Sequence, residues 1–119
     1  MPDILLVHGS CHGAWAFRDL APALQDLGYT ARAIDLPGHG ANPHPITDIT
    51  LDLYADTILD AIEGIAIVLG HSMAGFPISA AAEKAPDLID RLIYLCAYVP
   101  RDGVSLVDMR KEAPRQPIL

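Results

Sequence analysis

The chain has 119 residues, 51% of them hydrophobic and 6% aromatic, with eight Lys and Arg against fifteen Asp and Glu for a formal net charge of −7. That length supports at most one small domain, the composition is that of a folded α/β protein rather than a disordered chain, and scattered basic residues on an acidic background argue against nucleic acid and anionic membrane surfaces as partners. Cys11 and Cys96 form neither a metal-ligand spacing nor a disulfide framework. The opening Met-Pro-Asp carries no basic region or cleavage site, and no apolar run approaches the roughly 18 residues that cross a bilayer. A reduced cytoplasmic setting is the expectation.

In chain order, Ile4 to Val7 is a continuous apolar run, the pattern of a strand buried on both faces of a parallel sheet. His8-Gly9-Ser10 ends it. Trp15, Phe17, Leu20, Ala21, Leu24 and Leu27 follow near helical spacing, with Gly28 as the C-terminal cap. Thr30 to Leu36 reads as a second strand, broken by Pro37-Gly38-His39-Gly40 and a Pro-rich loop to Thr47. Leu51, Tyr54, Ala55, Ile58 and Ile62 form an apolar helix face, with Thr50 as N-cap and Gly64 past the end. Ile65 to Leu69 is a third strand, Met73 to Lys84 an Ala-rich helix, and Leu92 to Tyr98 a fourth strand. Beyond Pro100 the chain is polar without strong periodicity.

This alternation predicts an α/β fold, a parallel sheet of four strands with right-handed crossovers and helices on both faces. Function then gathers at the C-terminal ends of the strands, where His8-Gly9-Ser10, Asp35 to Gly40 and Gly70 to Gly75 all fall. The last is the most informative. Gly70-His71-Ser72-Met73-Ala74 places a serine at a sharp strand-to-helix turn, with Ala74 where the G-x-S-x-G pattern has glycine. Ser72 is the candidate nucleophile. The amide of Met73, at a helix start, and that of Ser10, beside the close-approaching Gly9, are the candidate oxyanion donors.

The chain resembles the α/β-hydrolase superfamily. Val7-His8-Gly9-Ser10-Cys11-His12-Gly13-Ala14-Trp15 is similar to the opening of the plant methylesterase and hydroxynitrile lyase family and its bacterial esterase relatives. Leu95-Cys96-Ala97-Tyr98-Val99-Pro100 is similar to the strand leading into that family's cap. The resemblance implies Ser72 as nucleophile and the Ser10 and Met73 amides as oxyanion hole. The lyases carry threonine where this chain has Gly9, and many carry Glu where it has His71, so both positions look like the esterases. The family's catalytic Asp and His lie on later strands, and its single domain needs roughly 200–250 residues. Residues 1–119 are therefore expected to be the N-terminal part of one domain, with core elements in 1–100 and the start of the cap in 101–119: a partial α/β-hydrolase fold.

Five histidines leave no convincing local base. His8 is expected to brace the loop backbone, His71 to face inward, and His39 and His44 to be exposed or loop-bracing. His12 lines the pocket. Asp35 is read as a turn former rather than a triad acid, and Cys11 and Cys96 as small buried hydrophobes. Trp15 has two readings, core beneath the first helix or pocket wall, and Gly9, His12 and Trp15 make up the expected substrate-binding set. Asp52, Asp56, Asp60 and Glu63 form a solvated helix face. The function expected is hydrolysis of a small-molecule carboxylic ester, with no cofactor, no metal, and a base and acid absent from this chain. The alternatives are an inactive relative that binds a ligand or forms a homodimer through its sheet edge, and a hydroxynitrile lyase.

Overall fold

The computed structural model describes residues 2–112. Four strands, β1 (Asp3–Val7), β2 (Ala31–Ile34), β3 (Ala66–His71) and β4 (Ile89–Leu95), pair in parallel in the order β2-β1-β3-β4. Between and after them lie α1 (Leu20–Asp26), α2 (Leu51–Ala61), α3 (Gly75–Lys84) and α4 (Leu106–Glu112).

The period-two alternation of β1 builds both layers. Leu5 and Val7 point to one face, where they pack with Val68 of β3, Ala55 and Ile58 of α2, and Ile78 and Ala81 of α3. Ile4 and Leu6 point to the other, against Phe17, Ala31 and the inner side of α1 at Leu20, Ala21 and Leu24. The whole of Ile4 to Val7 is buried, which is why the run shows no polar alternation. Gly28 takes φ +94 just past α1, and the Thr50 hydroxyl accepts the Leu53 amide at 3.0 Å to start α2. On the expected solvated face of α2, Asp52 and Asp56 meet Lys84 of α3 at 2.7 and 2.5 Å.

Besides the helical run from Trp15, which is split into a 3-10 turn (Ala14–Phe17) and α1, two elements differ from expectation. The fourth strand begins and ends three residues earlier than the apolar run Leu92 to Tyr98 suggests. Its register with β3 runs from Ala66 opposite Ile89 to His71 opposite Leu95, so pairing stops where β3 stops. Cys96 then takes φ +46, and the following residues turn across the end of β3, with the Tyr98 amide donating to the Ser72 carbonyl at 3.1 Å. Second, the polar stretch after Pro100 contains α4. Its start is a reciprocal cap: the Ser105 hydroxyl accepts the Asp108 amide and the Asp108 carboxylate accepts the Ser105 amide, at 3.1 and 3.3 Å.

The two faces are unevenly covered. α2 and α3 lie over β1, β3 and β4, whereas on the α1 side Ile93 and Leu95 of β4 remain 38% and 42% exposed. Among the described residues the outer edge of β4 has no partner strand.

Gly75 is where packing is tightest, since a Cβ there would overlap the Tyr98 carbonyl. Gly75→Ala is expected to cost about 3 kcal/mol, at the upper end for overpacking. Thr50→Ala should cost about 1 kcal/mol for a lost cap, and urea unfolding midpoints of the two variants check the ranking.

Candidate active site

β3 ends at His71, and Ser72–Ala74 form one turn of 3-10 helix leading into α3. Ser72 sits at the break with φ +57, a left-handed backbone that a residue bearing a Cβ rarely adopts. The surrounding small residues each serve a different neighbour. A Cβ on Gly70 would stand 2.8 Å from Ile78 Cδ1 and 3.1 Å from the Ala74 carbonyl oxygen. Ala74 is fully buried but has helical angles, φ −60 and ψ −15, so its methyl group fits. The glycine demanded by close approach falls one position later, at Gly75. This explains why the serine turn departs from G-x-S-x-G without loss of the turn.

The loop after β1 abuts this turn. A Cβ on Gly9 would lie 3.1 Å from both the His71 carbonyl oxygen and Ser72 Cβ, so glycine lets the two loops touch. Ser10 follows, exposed, and Cys11 takes φ +59. Among the described residues, neither the Ser10 nor the Met73 amide is taken up by a loop, turn or cap hydrogen bond.

His8 is fully buried and uses both ring nitrogens: Nδ1 donates to the Gly9 carbonyl at 2.8 Å, and Nε2 accepts the Leu36 amide at 3.1 Å. These bonds fix the neutral Nδ1–H tautomer, because a proton on Nε2 would face another N–H. Burial holds the imidazole below its ordinary pKa; the Gly9 carbonyl opposes that shift, as does Asp35, while His39 and His12 add to it. Asp35, at the end of β2, accepts the Ala14 amide on Oδ1 at 2.8 Å and the Ala41 amide on Oδ2 at 3.1 Å. The Ala14 bond, followed by the Ala41 bond, holds its carboxyl below the usual range. His39 is a loop brace whose Nδ1 donates to the Pro37 carbonyl at 3.1 Å, and its ring lies 4.8 Å from that of His8.

His12 Nδ1 donates to the Ser10 carbonyl at 2.6 Å, and its ring stacks on Trp15 at 5.2 Å. Trp15 is 56% exposed and shares with His12, Phe17, Leu20, His71 and Leu95 the wall of a cavity of about 350 Å³. Ser72 is not on that wall. His71, expected to face inward, is half-buried against this cavity. A larger hollow of about 730 Å³ lies between α3 and residues 100–105. No histidine among the described residues hydrogen-bonds Ser72 Oγ. The cysteines correct the expectation: Cys11 and Cys96 are free and exposed, each at a strand-end turn with positive φ, where the chain leaves the sheet and no core surrounds the thiol. Among the described residues, no three His, Cys, Asp or Glu side chains gather as a metal set, and no helix is long and apolar enough to cross a membrane.

A parallel sheet whose strand ends bring a left-handed serine against a glycine loop is the architecture of an α/β-hydrolase. A family model described as "Alpha/beta hydrolase family" matches residues 4–119, and the chain belongs to that family. It is 32% identical over 106 residues to Methylesterase 9 of Arabidopsis thaliana, across 84% of this chain and 41% of that protein. It is 34% identical over 118 residues to a carbendazim hydrolyzing esterase of Nocardioides sp. (strain SG-4G), across 95% and 49%. A solved extracellular alpha/beta-hydrolase from a Paenibacillus species superposes with a TM-score of 0.82 at 30% identity, over 91% of this chain and 46% of that one. The chain thus spans about half the length of the curated relatives it matches, and those relatives are esterases.

The lowered pKa of His8 predicts acid sensitivity. The unfolded chain takes up this proton more readily than the folded one, so the contribution is complete above about pH 6.5 and is lost as pH falls through the folded value. Asp35, ordinarily near 3.8, acts in the same direction only at lower pH. Urea midpoints at pH 7.5 and 5.5 should fall for the natural chain and fall less for His8→Gln, whose side-chain oxygen can still accept the Leu36 amide.

Proposed function

We propose that this chain carries the nucleophile and oxyanion side of a carboxylic-ester hydrolase site. The observation that carries this reading is Ser72 at φ +57 between β3 and α3, with the backbone of Gly9 pressed against it. A left-handed serine costs about 1–3 kcal/mol and persists only where its surroundings enforce it. In a strand-to-helix turn of this kind the left-handed residue lifts the serine hydroxyl above the sheet. Ser72 Oγ attacks the ester carbonyl carbon as a base takes its proton. The carbonyl electrons pass to oxygen, and the amides of Ser10 and Met73 receive that charge. Met73 lies in the first turn of helix after the break, where amides have no intrahelical acceptor. When the intermediate collapses, the proton passes to the departing alkoxide and an acyl-serine is left. Water, giving its proton to the same base, then attacks the acyl carbonyl, and collapse releases the carboxylic acid as Ser72 Oγ takes back a proton. No cofactor enters these steps.

The base and the acid that orients it belong to polypeptide outside residues 1–119. His8 is committed on both nitrogens and Asp35 accepts an amide on each oxygen, and no histidine among the described residues hydrogen-bonds Ser72 Oγ. Ester hydrolysis is favoured over cyanohydrin cleavage by the same contact at Gly9: the lyases' threonine would need its neighbours at 3.1 Å to give way. His12 and Trp15, on the wall of the cavity beside His71, are the substrate-binding side chains of this reading, and the substrate is a small-molecule carboxylic ester. The free thiols of Cys11 and Cys96 support a reducing, cytoplasmic setting.

One observation favours a second reading, a homodimerising module: the unpaired edge of β4 with Ile93 and Leu95 exposed beside it. Sedimentation as a stable dimer without esterase activity would support it.

The primary test is labelling by a fluorophosphonate probe and hydrolysis of short aryl esters, by the 119-residue chain alone and by the chain combined with the C-terminal half of a matching relative. Activity and Ser72 labelling should appear only in the combination, and Ser72→Ala should abolish both. Labelling at another residue would overturn the assignment of Ser72; brisk hydrolysis by the chain alone would overturn the external base.

A further inference from the structure

The bond between Asp35 and Ala14 spans 21 residues and joins the end of β2 to the loop after β1. A residue that only shapes its own turn has no need of it. The Leu36–Asn42 turn is already closed by the Asp35 contact with Ala41, by the Asn42 side-chain amide donating to the Asp35 carbonyl at 3.0 Å, and by the Gly38 amide donating to the Asn42 carbonyl at 2.8 Å. The carboxylate lies in a cradle made of two glycine–alanine steps from different loops. A Cβ on Gly13 would stand 2.9 Å from Asp35 Oδ1, and one on Gly40 would overlap the carboxylate itself. Gly13 has φ −162, an extended backbone open to any residue, so its glycine answers to the space taken by Asp35 and its neighbour Trp15 rather than to conformation.

Between the two loops, residues 35–36 hold the β1 loop at both ends. The Leu36 amide binds His8, whose other nitrogen binds the Gly9 carbonyl. The Asp35 side chain binds Ala14. The segment strung between these anchors contains Ser10 and the strained Cys11 at φ +59, a conformation that relaxes once either anchor lets go. Asp35 is itself only half-buried, so it contributes little as core packing.

We infer that Asp35 is a positioning residue for the site: by anchoring Ala14 it holds the Gly9–Ala14 loop so that the Ser10 amide faces the oxyanion of an ester bound at Ser72. This rests on the reading of Ser72 as nucleophile. Asp35 touches no reacting atom. Its charged oxygen makes the Ala14 bond stronger than a neutral acceptor would, which is why an Asn at this place is a partial substitute only: one of its two polar atoms is a donor and opposes one of the two amides.

The experiment compares the full chain with Asp35→Ala and Asp35→Asn by amide hydrogen exchange, and by the rate constant for fluorophosphonate labelling of Ser72 in the combination with a C-terminal half. Exchange across residues 10–16 should rise about tenfold or more in Asp35→Ala while α2 and α3 are unchanged, with Asp35→Asn intermediate. Labelling should slow by about tenfold or more, as for a displaced oxyanion donor. Should Asp35→Ala unfold the chain, Asp35→Asn decides alone, by faster exchange in 10–16 at unchanged exchange in α2 and α3. Faster exchange confined to residues 38–42 would overturn the inference and leave Asp35 a turn former. Normal labelling with an opened 10–16 loop would overturn it too. If natural Ser72 fails to label at all, the hydrolase reading fails, and the exchange pattern still reports whether Asp35 holds the loop.

Discussion

Ser72 occupies a backbone conformation that its own chemistry opposes, at a cost of about 1–3 kcal/mol for an L-residue in the left-handed region, and much of the local sequence is arranged around keeping it there. The Tyr98 amide, in the segment that follows β4, holds its carbonyl. Gly75 admits the Tyr98 backbone, Gly70 admits Ile78, and Gly9 admits the turn itself. Each of these small residues answers to a different neighbour, so the strain is locked from three directions by packing.

The core was legible because β1, β3 and the apolar face of α2 are long, regular runs whose burial matches their pattern. The boundaries of β4 were not. Leu92 to Tyr98 is apolar throughout, and periodicity alone carries no sign of where β3 ceases to offer partners or that Cys96 breaks the extension. α4 lacks an apolar stripe, but its Ser105 and Asp108 capping pair was present to be read. At the strand ends, the serine turn and the glycine before Ser10 stood out as motifs. His8 was legible as a loop brace, but the bond from Asp35 to Ala14 was not, because it joins residues 21 positions apart. Nor was the exposure of Cys11 and Cys96, since hydrophobic residue type says little about a site in a turn that leaves the sheet.

The uneven faces of the sheet and the half-length match to esterase relatives are mutually consistent. α2 and α3 complete one side of the core, while on the other the wall formed by Trp15, Phe17, His71 and Leu95 is open. The serine turn sits at the boundary between these regions. Its covered side packs against α3 and the segment after β4.

The strand order has a further consequence for synthesis. β1 is the second strand of the sheet, flanked by β2 and β3, yet it leaves the ribosome first. Its run Ile4 to Val7, buried on both faces in the fold, has no ladder partner on one side until β2 emerges, and none on the other until residue 66 and beyond. Such non-local parallel pairing is slow and exposes sticky strand to other chains. The nascent chain therefore carries this apolar run with one ladder edge open until β3 has been made.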